Sequence, residues 1–131
     1  MPGNLGEQVR TLQAIVPQAA PDGTCYGTAA DRTDFHYAVL AVDTGASAGA
    51  PTAVSITAKV QDSTDGTTWA DVAGATASAL GANAHGEINL DLRLARKYVR
   101  AAVTVLHTGG TTPTTQVSAV WVLGEATRNP V

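Results

Sequence analysis

A period of two limits this chain more than any other feature. In the stretch Ala53–Gln61, Val54, Ile56, Ala58 and Val60 fall on one side, and Ser55, Thr57, Lys59 and Gln61 on the other. Successive side chains of a strand point to opposite faces, whereas a helix would scatter this pattern around its circumference. Ile88, Leu90 and Leu92 alternate with Glu87, Asn89 and Asp91 in the same way. A third alternation runs from Lys97 to His107, with Val99, Ala101, Val103 and Val105 on one face. Phe35–Val42 is aromatic, β-branched and apolar on both faces, which predicts a central strand. Gln116–Leu123 reads as the last strand.

Turn signals separate these runs. Thr64-Asp65-Gly66 predicts a hairpin turn, of type I′ if it is two-residue, with Thr67–Val72 returning as the partner strand. Gly45–Pro51 and Gly109–Pro113 read as loops, and Arg93–Arg96 as a short basic corner. Residues 73–86 are rich in Ala and Gly and hold at most a weak strand over Thr76–Leu80. Val9, Leu12 and Val16 have loose helical spacing, but Pro17 and Pro21 stop a helix there. Residues 1–22 therefore read as an N-terminal arm, which an extended tail, a first edge strand or a short helix would each satisfy. Residues 23–124 form the β-domain, and 125–131 a polar C-terminal tail. Six or seven strands without a convincing helix make the fold class all-β, an antiparallel sandwich or barrel.

Composition narrows the function classes. The net charge is -3, and no basic run offers the counterion-displacing face that nucleic-acid binding needs. No apolar run approaches the roughly 20 residues of a membrane-spanning helix. The first ten residues, MPGNLGEQVR, lack the basic-then-apolar order of a secretory signal. Cys25 is the single cysteine, so it has no internal disulfide partner and reads as a small buried hydrophobe of a protein made in a reducing cytoplasm.

Several motifs have local forms that suggest chemistry and contexts that remove it. Gly45-Ala46-Ser47-Ala48-Gly49 matches the G-x-S-x-G nucleophile elbow, which requires a helix after the serine. Pro51 and a strand follow instead. His36, His85 and His107 lie in separate segments without zinc-type spacing. Asp62–Gly66 resembles a calcium loop but lacks the full acidic pattern, and a turn explains it. The expectation is no enzyme, no catalytic residue, no cofactor, no metal and no small-molecule substrate. Arg96 and Arg100 belong to a local basic segment, Arg93–Arg100, which reads first as solvated charges at a strand entrance and second as a patch for an acidic partner surface. Trp69 and Trp121 are anchors for the core or an interface; with Tyr98 they would be the stacking faces of a carbohydrate-binding module.

Three stretches in order carry a family resemblance: Val60–Val72 (VQDSTDGTTWADV), Arg96–Val105 (RKYVRAAVTV) and Val117–Gly124 (VSAVWVLG). Together they resemble the small head structural proteins of tailed bacteriophages, the capsid decoration or cement proteins. The resemblance implies a jelly-roll-like sandwich on the exterior of the virion, made in the host cytoplasm, that bridges subunits of the major capsid protein. It implies a homo-oligomer, dimer or trimer, and brings no catalytic residues. The interface or structural candidates are Asp65, Gly66, Trp69, Arg96, Arg100 and Trp121. A phage tail or head-fibre component is the alternative from the same particle.

Overall fold

A computed structural model of the protein describes residues 9–33 and 35–126. The expected tail residues 127–131 and the first eight residues of the expected arm lie outside this range. Nine strands run in order: β1 (Arg10–Ala20), β2 (Gly23–Tyr26), β3 (Ala30–Asp31), β4 (Phe35–Ala48), β5 (Ala53–Ser63), β6 (Ala70–Leu80), β7 (His85–Asp91), β8 (Tyr98–Thr108) and β9 (Thr114–Ala126), with one 3₁₀ turn at Leu92–Leu94. The first sheet has the order β1-β9-β4-β7. The second has the order β2-β8-β5-β6, with β3 also on β8. Every pairing is antiparallel.

This order is a jelly roll. β1 pairs with β9, β2 and β3 with β8, β4 with β7, and β5 with β6. The chain is thus one long hairpin, folded outermost pair to innermost and rolled so that successive pairs alternate between sheets. The alternations seen in the sequence supply the core. Leu40, Val42, Trp121 and Leu123 from the first sheet face Ile56, Val60, Val99, Val103 and Val105 from the second, all fully buried or nearly so. Small side chains such as Ala58, Ala101 and Ala119 let the layers interlock.

Four differences from the sequence expectation have physical causes. Residues 10–20, expected within the arm, are the edge strand β1, with Ala14, Ile15 and Ala20 buried. Pro17 is tolerated because it lies on an edge, at a register shift between Ile15 and Gln18. The turn after β5 is not a two-residue type I′ hairpin. Type I′ needs positive φ at both central residues, and only Gly66, at φ 82°, has it; strand pairing resumes at Ala70, not Thr67. β4 continues through the expected loop to Ala48 by a bulge between Thr44 and Ser47. β9 likewise continues past residue 124, where the tail was expected to begin, to Ala126.

Rolling the hairpin sorts the connections to two ends. The turn end carries residues 21–22, 49–52, 81–84 and 109–113. The basic end carries 64–69, 92–97 and residues 27–33 around β3. Arg32, Arg93, Arg96, Lys97 and Arg100 lie at or next to the basic end, whereas the turn end has no Lys or Arg among the described residues.

Candidate functional site

At the basic end, the outer face of the second sheet gathers side chains from four elements. Val99, Ala101 and Val103 point into the core, so Arg100, Ala102 and Thr104 point out. Thr24 on β2 faces Thr104, and their hydroxyls lie 2.9 Å apart. Tyr26, next in register on the same face, reaches diagonally over Arg100. The Arg100 guanidinium carbon sits 4.2 Å from the Tyr26 ring centroid and 4.4 Å from that of Trp69. Two aromatic rings therefore each offer a face to the same cation. Arg100 Nε donates to Gln61 Oε1 at 2.9 Å, Gln61 Nε2 donates to Asp71 Oδ1 at 2.9 Å, and Lys59 Nζ pairs with Asp71 at 3.2 Å. The Asp71 carboxyl is held below its ordinary value first by Gln61 and then by Lys59.

The loop that delivers Trp69 is braced by a single carboxylate. Asp65 Oδ1 accepts from the backbone N–H of Thr67 at 2.9 Å and Thr68 at 3.1 Å, and from the Ser63 hydroxyl at 2.9 Å. Ser63 Oγ accepts in turn from Gly66 N at 2.8 Å. These donors, the Thr67 N–H foremost, hold the Asp65 carboxyl well below the ordinary carboxylate range. Next to the loop, Asp62 Oδ2 accepts from Arg96 N at 3.0 Å, and Lys97 Nζ lies 5.2 Å from the Tyr98 ring centroid.

Five of the six sequence candidates therefore come together. Asp65 and Gly66 shape the loop, Trp69 and Arg100 form the stack, and Arg96 is tied to the same end through Asp62. Trp121 does not join them. It is fully buried between the sheets, and its indole N–H has no partner among the described residues. Tyr26 was missed because a tyrosine between a cysteine and a glycine carries no local signal of Arg100, 74 positions away.

A second constellation was also missed, at the turn end. Asp22 Oδ1 lies 2.6 Å from His107 Nδ1, His107 Nε2 lies 2.8 Å from Thr115 Oγ1, and Thr115 Oγ1 lies 2.7 Å from Ser47 Oγ. The order carboxylate, imidazole, hydroxyl has the form of a hydrolytic relay. Thr115, however, is fully buried and stands between His107 and the half-buried Ser47, so the imidazole has no direct contact with the Ser47 hydroxyl. The chain instead satisfies polar groups that join the two sheets. The hydrogen bond from His107 holds the Asp22 carboxyl below its ordinary value. Nearby, the His85 imidazole lies 2.7 Å from Asp43 and 3.3 Å from Glu87, which raise its proton affinity in that order. Among the described residues no group of three or more His, Cys, Asp or Glu side chains converges on a metal position.

The geometry defines an all-β jelly roll with a built cation–aromatic surface. No protein-family model matches the chain, and no curated protein matches it by sequence. Solved structures do match its fold. The PBSX exported protein XepA aligns over 89% of this chain at 11% identity and a TM-score of 0.61. Infectious bursal disease virus, Gx strain, aligns over 93% at 13% identity and a TM-score of 0.57. This chain spans 37% and 34% of the length of those two proteins. A Bacillus endospore appendage protein, described as forming disulfide-linked pili, aligns over 95% of this chain and 94% of its own at 13% identity and a TM-score of 0.50.

Proposed function

We propose that this chain is a capsid decoration, or cement, protein of a phage head, and that it acts by adhesion. It binds the outer surface of the assembled shell and bridges neighbouring major capsid protein subunits, itself a dimer or trimer. The observation that carries this reading is the rolled jelly roll, complete within the described residues, whose likeness to a virus-particle protein extends over 93% of the chain. The Val60–Val72, Arg96–Val105 and Val117–Gly124 stretches that resemble phage head proteins supply β5 with its loop, β8 and β9, so the resemblance falls on the scaffold of the cation–aromatic surface. An interface of standard size, about 1,600 Å² in total, sustains useful affinity, and repetition over a symmetric shell adds avidity. A ligand that binds only the intact shell stabilises it by mass action.

The experiment uses particles that lack this protein. They are heated or osmotically stressed, with and without the purified chain added back. The expected result is saturable binding to the exterior and a higher disruption temperature. Depleted particles that survive as well as complete ones, with no exterior binding, would remove the cement reading. One observation favours a fibre component as the second reading, namely the whole-length fold match to a pilus-forming protein. Those pili are disulfide-linked, and Cys25 alone, half-buried against the core with its thiol pushed up by burial, is a poor basis for the same chemistry. Binding to tails only would select that reading.

A further inference from the structure

We infer that the Tyr26–Arg100–Trp69 stack is the recognition point for a carboxylate side chain, Asp or Glu, on the protein partner. The inference rests on the adhesion reading above and specifies the chemistry of its contact. Arg100 is held in place before any partner arrives. Its guanidinium carbon lies over both the Tyr26 and the Trp69 ring, and its Nε is committed to Gln61. Gln61 is itself fixed by Asp71, which Lys59 pairs. Its terminal N–H groups have no hydrogen-bond partner among the described residues. No carboxylate lies within ion-pair distance of Arg100 among the described residues. The nearby acids are already engaged: Asp71 by Lys59 and Gln61, Asp62 by Arg96, and Asp65 by its own loop. A planar donor fork with its rotamer fixed matches a carboxylate bidentately and loses little freedom on binding. Trp, Tyr and Arg are also the residues that dominate interface energetics, because aromatic cover excludes water from the charged contact.

The same geometry argues against a sugar. Carbohydrate stacking needs open aromatic faces, and here each ring gives a face to the same guanidinium. Lys97, on the connection that enters β8 at the same end, adds positive charge and favours an acidic partner by steering.

The test measures binding of the full chain to depleted particles. Arg100→Lys keeps the charge but loses the fork and the stacking, and should weaken binding about tenfold or more. Arg100→Gln should weaken it further. Far-ultraviolet circular dichroism and melting temperature report whether each variant is folded. Amidation of the particle carboxylates should weaken wild-type binding to a similar degree, and should have little further effect on Arg100→Gln. Wild-type binding with no loss in either folded variant would overturn this inference and leave the adhesion reading intact. Absence of wild-type binding to any part of the particle would overturn both. Saturable capture on a glycan array that depends on Trp69 would also overturn the carboxylate assignment, and would make the surface a sugar site.

Discussion

The two ends of the sandwich solve different problems with similar side chains. At the turn end, polar groups look inward. His107 is fully buried at its side chain and links Asp22 to Thr115 and Ser47, and the short connections bond to one another, as in Thr52 N to Thr108 O at 2.7 Å and Thr111 N to Gly49 O at 2.9 Å. At the basic end, polar and aromatic groups look outward. Tyr26 is 57% exposed, and the Arg100 guanidinium has no carboxylate partner among the described residues. Backbone and buried polar groups must be paired wherever water is excluded. An end that satisfies all of them internally is a closure, and an end that fixes donors without satisfying them is prepared for a partner. On the proposed adhesion reading, fixed but unpaired donors, more than exposure alone, mark the end that meets the partner.

The contrast is broken most severely by removing its inward half. His107→Ala leaves a cavity and strips partners from Asp22 and Thr115, and should cost about 2–4 kcal/mol in chemical denaturation. Trp69→Ala, at the outward half, should cost no more than about 1 kcal/mol of stability while abolishing most partner binding. If Trp69→Ala were the more destabilising of the two, the ends would have been assigned the wrong roles.

A smaller effect sharpens the loop argument. Gly66 has φ 82°, a conformation that costs an L side chain roughly 1–2 kcal/mol. Gly66→Val should lower stability by about that amount and blunt partner binding, because the loop aims Trp69. An unchanged melting temperature and unchanged binding would show that the loop's conformation is not what positions the stack.

The smallest effect is in the pH dependence, where His85 and Asp65 differ in sign. At the turn end, His85 has its proton affinity raised by Asp43 and Glu87. Its contribution is fully present below the ordinary value of 6.5 and is lost as the pH rises through the raised value. At the basic end, Asp65 is depressed. Its contribution is present above the ordinary 3.8 and is lost as the pH falls through the lowered value. Protection factors of the Thr67 and Thr68 amides should therefore fall in acid, and those around Asp43 and Gly86 above neutrality. His85→Gln should remove the second change and leave the first.

Much of this fold was legible because its central strands bury one face or both. The alternations of β5 and β8 and the doubly apolar β4 can be read residue by residue. Other strands hid for physical reasons. β1 carries Pro17 on a free edge, where no ladder N–H is required. β6 is Ala- and Gly-rich, and its pairing skips from Asp71 to Thr76 while its partner advances only from Gln61 to Lys59, with Gly74 at φ 76° in the gap. β2 and β3 are too short to show a period. The candidate site was half legible. Asp65, Gly66, Trp69 and Arg100 lie in local motifs, whereas Tyr26 and the Asp22–His107 pair are brought in only by the roll of the long hairpin.

The central claim is that the turn end closes the fold while the basic end meets the partner, and an image of depleted particles saturated with the added chain tests it directly. The account predicts density for one jelly roll at each occupied position on the outer shell, with the 64–69 loop and Tyr26 toward the major capsid protein and the Asp22–His107 end facing solvent. Density in which the Asp22–His107 end contacts the shell, leaving Tyr26 and Trp69 in solvent, would contradict it.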